Sequence, residues 1–353
     1  MAKDKSILYL TTTSSMAGAE WNILNLASYM KGQGFRITIA ALTGNGELLK
    51  QAQAHGMGTA DLRVNKLLPF RLYGIRRLMK AHAITHSFLF HTNIPSRIFK
   101  PRDSVLINSF RSTDHWKKPV HYFLERRTAA RCDLFTANFD KLSEFKVRHN
   151  ILDIKYIPNA IDPASSNAVW SAAHFDAALI GRFHRVKNHI KLLNEFLVHD
   201  LLKKENFRLI FYGRGPFEKV IRRKIAANGL GEKVIMRPFE HSKDKLYSGL
   251  CAVICTSEYE GFPNTLAEAS IRGIPVASLP VGAAGRIIEA GVNGYLEPSI
   301  NGILDRLLEM SSNEDMWKKL SRAGKEMIGS RFSPRKVHEE YLDLYRQLSG
   351  NAL

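Results

Sequence analysis

The sequence predicts an α/β protein with two doubly wound parallel-sheet domains. Short apolar runs bounded by Gly, Pro or Asn alternate with longer helical patterns along the whole chain, which is typical of βαβ units. The length of 353 residues exceeds that of a usual single domain. The alternation also restarts after a polar segment with two prolines near residue 160, so we expect a second domain there.

The apolar runs locate the strands. In the first half they predict strands at residues 7–12, 35–42, 84–88, 105–110, 134–137 and 154–157. In the second half they predict strands at residues 177–180, 207–212, 234–237, 252–255, 275–278 and 294–296. Helical patterns separate most of these runs. Three closing helices are expected at residues 300–310, 315–328 and 334–348.

The polar segment IPNAIDPASSN, residues 157–167, is typical of a linker, and a surface loop inside one domain is the alternative. We therefore expect an N-terminal domain over residues 1–160 and a C-terminal domain over residues 168–333. The closing segment, residues 334–353, is assigned to the N-terminal domain.

Composition places the chain among globular proteins, with 45% hydrophobic and 24% charged residues. The apolar run at residues 7–10 is too short for a signal sequence, and no run reaches the roughly 18 apolar residues of a membrane span. We expect a cytoplasmic protein. Its three cysteines lack further ligands nearby in the sequence, so a zinc site is not expected.

Charge is uneven between the two halves. The chain has a net charge of +18, and residues 1–160 hold 24 of the 51 Lys and Arg but 11 of the 33 Asp and Glu. The first part therefore carries +13 and the rest +5. Such an excess indicates an anionic partner, which can be a membrane surface, a phosphorylated lipid or a nucleic acid.

A candidate anion site follows the strand at residues 177–180. Gly181 permits a tight turn there, and Arg182 and Lys187 supply two cations. Arginine grips phosphate oxygens in pairs and lysine acts as a point charge beside them, so the two suit a diphosphate. Either residue taken alone is more simply a solvated charge.

A second constellation follows the strand at residues 252–255. Glu260 lies in a loop, and Pro263 or Asn264 opens a helix that contains Glu268. Backbone amides near Thr265 and Leu266 are expected to be free to receive an anion. Two carboxylates around such a helix start suit the hydroxyl groups of a sugar nucleotide, although each glutamate alone is more simply a surface charge.

Six segments stand in an order known from one enzyme family. They are GAE at 18–20, IPNAID at 157–162, GRFHRVKN at 181–188, YGRGP at 212–216, SEYEGFPNTLAEASIRGIPV at 257–276 and GVNGYLEP at 291–298. In this order they resemble the retaining glycosyltransferases of family 4. That family has the GT-B fold, in which two Rossmann-like domains face a cleft.

The resemblance implies a role for each matching residue. Arg182 and Lys187 would bind the diphosphate of a nucleotide-sugar donor, and Glu268 would bind its ribose. The Gly261–Pro263 backbone, together with Glu260, would contact the transferred sugar, and Gly18 would let a loop of the first domain approach the phosphates. The remaining donor-site candidates are Gly261, Phe262, Pro263, Asn264, Thr265 and Leu266.

The resemblance further implies that Glu260 contacts the transferred sugar, and we assign it as catalytic. Many members have a histidine after the fifth strand, where this chain has Arg111. We therefore name Arg111 and the nearby His115 as further catalytic candidates, with His91 close by. Arg286 likewise stands where relatives commonly have a glutamate, so contacts at that position are not carried over.

Other chemistries are weakly supported. The GRG at 213–215 lacks the third glycine of a dinucleotide fingerprint, so NAD is not expected. No pair of aspartates flanks a single residue at a strand end, which argues against a metal-bridged diphosphate. The basic segments 71–82 and 115–127 suit either ordinary amphipathic helices or a membrane-facing surface.

We therefore predict a retaining, metal-independent glycosyltransferase with a UDP-sugar donor, or else a GDP-sugar, and no other cofactor. The acceptor is expected on the first domain, as a glycan or lipid-linked molecule of cell-surface polysaccharide or lipopolysaccharide synthesis. An anionic membrane surface at the inner face is the expected partner, rather than nucleic acid. The alternatives are a GT-B nucleotide-sugar epimerase, a DNA-glycosylating enzyme or a non-catalytic binding protein of this fold.

Overall fold

The computed structural model of the chain describes residues 5–16, 18–64, 69–111, 116–165, 167–240 and 242–348. The chain divides into two compact units, here called the first domain (Met1–Ala160 with Pro334–Leu353) and the second domain (Ile161–Ser333). Residues 157–165, around the boundary, form neither helix nor strand.

The first domain contains a parallel sheet of seven strands in the order β3-β2-β1-β4-β5-β6-β7. The order reverses between β1 and β4, as in a doubly wound sheet. The strands are β1 (Ser6–Thr13), β2 (Arg36–Thr43), β3 (Gly58–Asp61), β4 (Ile84–Phe88), β5 (Val105–Phe110), β6 (Leu134–Ala137) and β7 (Ile154–Tyr156).

Helices connect these strands. The first of them buries Ile23, Ala27 and Met30, whose spacing of three or four residues gives one apolar face. The helices are α1 (Gly18–Gly32), α2 (Glu47–Ala54), α3 (Tyr73–Lys80), α4 (Phe90–Ile98), α5 (Pro119–Thr128) and α6 (Leu142–His149).

Strand β3 is absent from the strands that the sequence predicts. It has the sequence GTAD, lies at the edge of the sheet and, among the described strands, pairs with β2 alone. None of its four residues is fully buried. A short edge strand of this kind has no apolar run to mark it, and its backbone pairing with β2 alone defines it.

The second domain contains a parallel sheet in the order β10-β9-β8-β11-β12-β13. The strands are β8 (Phe175–Ile180), β9 (Phe207–Tyr212), β10 (Val234–Arg237), β11 (Ala252–Cys255), β12 (Val276–Ser278) and β13 (Gly294–Leu296). Every residue of β8 and β11 is buried, because helices cover both faces of the sheet. This burial explains why β11 and residues 177–180 of β8 read as continuous apolar runs.

The helices of the second domain complete its two covering layers. They are α7 (His189–Val198), α8 (Glu218–Ala227), α9 (Lys243–Tyr247), α10 (Asn264–Ser270), α11 (Ala284–Ile287), α12 (Ile300–Ser312) and α13 (Glu314–Arg331). No helix in the described ranges is both long enough and apolar enough to cross a bilayer.

The closing helix α14 (Pro334–Leu348) packs into the core of the first domain. It buries Val337, Tyr341 and Tyr345, and the Tyr345 hydroxyl lies 2.7 Å from His86 Nδ1 on β4. The chain thus returns to its first sheet after building the second. The predicted α/β class with two doubly wound parallel-sheet domains is confirmed.

Candidate functional site

Two loops at the carboxyl edge of the second sheet are bonded to each other. They follow the neighbouring strands β8 and β11. Asn188 Nδ2 donates to the Thr256 carbonyl at 2.9 Å, and Thr256 Oγ1 donates to the Lys187 carbonyl at 2.8 Å. The Glu258 amide donates to the Val186 carbonyl at 2.9 Å. These bonds fix the backbone on which Lys187 and Glu260 stand.

Lys187 and Glu260 form an ion pair at this edge. Lys187 Nζ lies 2.5 Å from Glu260 Oε1, and Ser257 Oγ donates to the same oxygen at 2.7 Å. The two charged side chains are 23% and 19% exposed, so the pair is partly shielded from water but still reachable. The structure thus places these two predicted site residues next to each other.

The ion pair also sets the protonation of Lys187. Burial on its own lowers the pKa of Lys187, but the charges of Glu260 and Cys255 and the hydrogen bond to Glu260 outweigh it. The pKa of Lys187 therefore lies above its ordinary value. The side chain therefore stays a cation at neutral pH.

Close backbone approach requires glycine at two points behind the pair. A Cβ atom at Gly213 would lie 2.0 Å from the Gly181 carbonyl oxygen, and one at Gly282 would lie 2.2 Å from the Gly261 carbonyl oxygen. Gly282 also has φ of +52°, a conformation that glycine adopts without steric cost. Substitution at either position would displace the loops that carry Lys187 and Glu260.

Arg182 follows the turn at Gly181 and is exposed. Among the described residues its side chain has no hydrogen-bond or ion-pair partner. Its guanidinium therefore faces solvent beside the strand end, and its role as a diphosphate ligand stays a prediction.

Glu268 lies on α10 and is only 16% exposed. Its Oε1 is 2.9 Å from Lys243 Nζ, and its Oε2 accepts from the Tyr247 hydroxyl at 2.9 Å. Burial, together with the charge and the hydrogen bond of Glu268, raises the pKa of Tyr247 well above its ordinary value. Tyr247 is therefore a constant donor, and it fixes the direction in which the carboxylate points.

The start of α10 corrects one expectation. The Leu266 amide donates to the Pro263 carbonyl at 3.0 Å, so it is engaged in a tight first turn and is not free. The Thr265 amide has no backbone acceptor within the described ranges. The side chains of Phe262 and Leu266 are buried in the apolar core, and only the backbone of these residues can reach a ligand.

The first domain holds the remaining candidates. Gly18 begins α1, and its carbonyl accepts from Asn22 Nδ2 at 2.8 Å. Arg111 follows β5 and donates to Asn159 Oδ1 at 2.7 Å and to the Tyr341 hydroxyl at 2.9 Å. His115 lies outside the described residues. The proposed catalytic roles of Arg111 and His115 stay predictions.

Three side chains that contact the predicted site were not found from the sequence. Ser257 is the second residue after β11 and begins a matched motif, so its position was a usable signal. Lys243 and Tyr247 belong to α9, before β11, and nothing in their local sequence marks them; only the packing of α9 against α10 brings them to Glu268. No three His, Cys, Asp or Glu side chains in the described part of the chain are grouped as metal ligands.

The second domain is similar in sequence to known glycosyltransferases. Residues 174–327 match the family described as glycosyl transferases group 1. The poly(ribitol-phosphate) alpha-N-acetylglucosaminyltransferase of Staphylococcus aureus is 26% identical over 179 residues, which cover 49% of this chain and 36% of that protein. The poly(glycerol-phosphate) alpha-glucosyltransferase of Bacillus subtilis is 25% identical over 202 residues, covering 55% and 30%. The chain thus matches about a third of the length of these relatives.

The fold has a match over nearly the whole chain. The crystal structure of HepE from Anabaena in complex with UDP has a TM-score of 0.85 and 15% identity, covering 97% of this chain and 100% of HepE. The resemblance to the GT-B glycosyltransferases is confirmed. The segment matched to the glycosyltransferase family contains Lys187 and Glu260, which lie at the carboxyl edge of the second sheet, and Glu268 on α10.

Proposed function

We propose that this protein is a retaining glycosyltransferase, with its nucleotide-sugar donor on the second domain and its acceptor on the first. The observation that carries the proposal is the Lys187–Glu260 pair at the carboxyl edge of the second sheet. Ligands of parallel α/β sheets bind at that edge. A lysine beside a carboxylate offers a cation for a diphosphate and an acceptor for sugar hydroxyl groups within one small volume.

We assign each part of the donor to residues of the second domain. Lys187 and the exposed Arg182 neutralise the diphosphate as it leaves, so the reaction requires no metal ion. Glu268 accepts from the ribose hydroxyls, while Glu260 and the Gly261–Pro263 backbone contact the transferred sugar. HepE has been crystallised with UDP and with UDP-glucose, which supports a UDP-sugar as the donor, with a GDP-sugar as the alternative.

The acceptor and the stereochemistry draw support from the two relatives. Their names specify alpha products on poly(ribitol-phosphate) and poly(glycerol-phosphate). Because common nucleoside-diphosphate glucose donors are themselves α-linked, an alpha product corresponds to retention. We therefore propose a glycan or lipid-linked acceptor from the synthesis of cell-surface polymers, such as lipopolysaccharide, at the cytoplasmic face of the membrane.

Helix α5 supports attachment of the first domain to that membrane. Val120 and Phe123, three residues apart on one helix face, are 56% and 60% exposed. Exposed Lys118, Arg126 and Arg127 stand beside them, and the Arg127 guanidinium carbon lies 6.0 Å from the centre of the Phe123 ring. Exposed apolar groups next to cations suit an anionic lipid surface.

The donor assignment is tested by thermal unfolding with UDP-, GDP-, ADP- and CDP-sugars. A ligand that binds only the native state stabilises it, by about 2.7 kcal/mol at a concentration one hundred times Kd. We expect one nucleotide series to raise Tm in the wild type and not in Lys187→Ala. If no nucleotide sugar raises the Tm of the wild type, the proposal fails.

The chemistry needs a separate measurement, because a non-catalytic binding protein would also show the thermal shift. Incubation of donor and acceptor should yield a product whose anomeric NMR coupling constant matches that of the donor. EDTA should leave the rate unchanged. An inverted anomeric centre, or a loss with EDTA that Mg²⁺ or Mn²⁺ restores, would contradict the mechanism; absence of any transfer would favour the binding protein.

A further inference from the structure

A cavity of about 210 Å³ opens at the carboxyl edge of the first sheet. Its walls come from residues that end or follow three strands: Thr12 at β1, Phe90 and His91 after β4, and Arg111 after β5. These strands are neighbours in the order β1-β4-β5. The cavity lies where the strand order reverses, which is where doubly wound sheets bind their ligands.

One wall of the cavity is aromatic. The rings of Trp116 and His91 stack with an interplanar angle of 10° and centroids 5.7 Å apart. Phe90 stands edge-on to Trp116 at 5.5 Å. Trp116 is held by these contacts yet remains 42% exposed. A flat, fixed and accessible aromatic face suits the C–H face of a sugar ring, because it excludes water without ordering a flexible side chain.

The position of this wall depends on a constrained backbone. Leu89 has φ of +73° and ψ of +159°, a conformation that bulky residues rarely adopt. Its amide donates to the Ser109 carbonyl, and its carbonyl accepts from the Asn93 amide. The fold therefore holds Leu89 in a costly conformation, and Phe90 and His91 project from it to the cavity rim.

The cavity lining also includes an arginine, Arg111. Arg111 is held by Asn159 and Tyr341, which are both neutral, and none of the described carboxylates pairs with it. The guanidinium therefore keeps its full charge and unused N–H groups. Arginine binds phosphate and carboxylate in a two-point geometry. No Asp or Glu lines the cavity within the described part of the chain.

Two further groups can contact hydroxyls. Burial and the neighbouring His121 lower the pKa of His91, so its ring is neutral at pH 7 and offers one donor and one acceptor. The Thr12 hydroxyl at the wall is buried and has no hydrogen-bond partner among the described residues. Buried polar groups are normally satisfied, and a sugar hydroxyl supplies the required partner chemistry.

We propose that this cavity binds an acceptor sugar that carries a phosphate or a carboxylate, with its ring against Trp116 and His91 and its anionic group on Arg111. That the bound sugar is an acceptor rests on the proposed function. The inference adds the chemical class of that acceptor. It selects charged glycans over neutral ones.

The test is an NMR titration of the full chain with three small glycosides and inorganic phosphate. The glycosides are methyl α-glucoside 6-phosphate, methyl α-glucuronide and neutral methyl α-glucoside. We expect the charged glycoside whose anion suits the cavity to bind about tenfold more tightly than the neutral one. Inorganic phosphate should bind more weakly than the phosphorylated glycoside, because it makes no ring contact.

Variants distinguish the contribution of Arg111 from that of the aromatic rings. Arg111→Gln should remove the preference for charged glycosides, Arg111→Lys should keep part of it, and Trp116→Ala should weaken all three glycosides about fivefold. Matched controls are Arg102→Gln and Tyr73→Ala, an exposed arginine and an exposed aromatic outside the cavity. Both should bind like the wild type. Unchanged melting curves identify variants whose fold is intact, and Arg111→Lys serves if Arg111→Gln unfolds.

Several results would overturn the inference. They are equal binding of neutral and charged glycosides, a preference that survives Arg111→Gln, and free phosphate binding as tightly as the phosphorylated glycoside. The proposed function fails separately: if no nucleotide sugar binds while charged glycosides still do, the cavity assignment stands and the transferase proposal falls. If transfer occurs equally to neutral acceptors, the cavity assignment falls and the transferase proposal stands.

Discussion

The carboxyl edges of the two sheets carry charge in different ways. In the second domain each key carboxylate is already paired, Glu260 with Lys187 and Glu268 with Lys243. In the first domain Arg111 is held by neutral groups and faces aromatic rings. A ligand of the second edge must exchange with existing ion pairs, which favours a molecule with both phosphates and hydroxyls. At the first edge an anion meets an arginine that no described carboxylate neutralises.

A third cluster of charged side chains lies in the first domain and is buried. Glu125 on α5 is buried with Arg97 Nη1 at 3.2 Å, Lys117 Nζ at 3.1 Å and His149 Nδ1 at 3.6 Å. The Lys117 side chain is 2% exposed. Lys117 therefore belongs to the core and is removed from the cations that the sequence assigns to a membrane-facing surface.

The largest expected effect is a loss of stability on substitution of Glu125 in this buried cluster, which has a structural role that the two sheet edges do not share. Glu125→Gln removes the carboxylate shared by two buried cations, and breaking a buried pair in this way costs about 3–5 kcal/mol of unfolding free energy. Urea unfolding measures the loss. The control is Glu144→Gln on α6, where the side chain is exposed. Equal stability of both variants would show that Glu125 does not anchor the cluster.

The same cluster predicts a pH dependence. Burial on its own raises the pKa of Glu125, but the hydrogen bond with His149 and the charges of Arg97 and Lys117 lower it to about 2, below the ordinary 4.5. Since the folded pKa is depressed, this stabilisation is complete above pH 4.5 and is lost as pH falls towards 2. The stability gap between wild type and Glu125→Gln should therefore shrink between pH 4.5 and 2. A gap that stays constant over this range contradicts the assignment.

The next largest expected effect is a loss of donor binding at the carboxyl edge of the second sheet. Lys187→Ala leaves Glu260 partly buried without its cation, and Glu268→Ala removes an acceptor held by Tyr247. Each should weaken donor binding by about 2–3 kcal/mol, measured by calorimetry with the nucleotide sugar. Lys191→Ala, an exposed lysine on α7, is the control and should bind normally. Unchanged donor affinity and turnover in both test variants would remove the donor site from this edge.

Sequence reasoning succeeded where a pattern is local. Buried strands such as β11 read as apolar runs, and Lys187 and Glu260 both follow strands that a parallel sheet places side by side. It failed where long-range packing decides. Tyr247 reaches Glu268 only through the placement of α9, and the Leu266 amide is engaged by a turn whose geometry the sequence does not specify. Lys117 reads as a surface cation because nothing in the local sequence shows that it is buried beside Glu125, a carboxylate that it shares with Arg97.

The smallest effect per substitution concerns the surface of α5. Each cation near an anionic membrane contributes about 1 kcal/mol, so Lys118, Arg126 and Arg127 beside exposed Phe123 can together hold the first domain at a lipid surface. Sedimentation with phosphatidylglycerol vesicles should show binding that neutral vesicles lack. Salt should reverse it, since the Debye length is only about 8 Å at physiological ionic strength. Phe123→Ser with Arg126→Gln should weaken binding.

The second domain provides the matched control for this surface. Val220 and Arg223 on α8 are likewise exposed and three residues apart, but the second half of the chain carries far less excess charge. Val220→Ser with Arg223→Gln should therefore leave vesicle binding unchanged. If both double variants weaken binding equally, general basicity and not α5 holds the protein at the membrane. If anionic vesicles bind nothing while duplex DNA binds tightly and in a salt-sensitive way, the positive charge of the first domain serves a nucleic acid, and the membrane assignment is wrong.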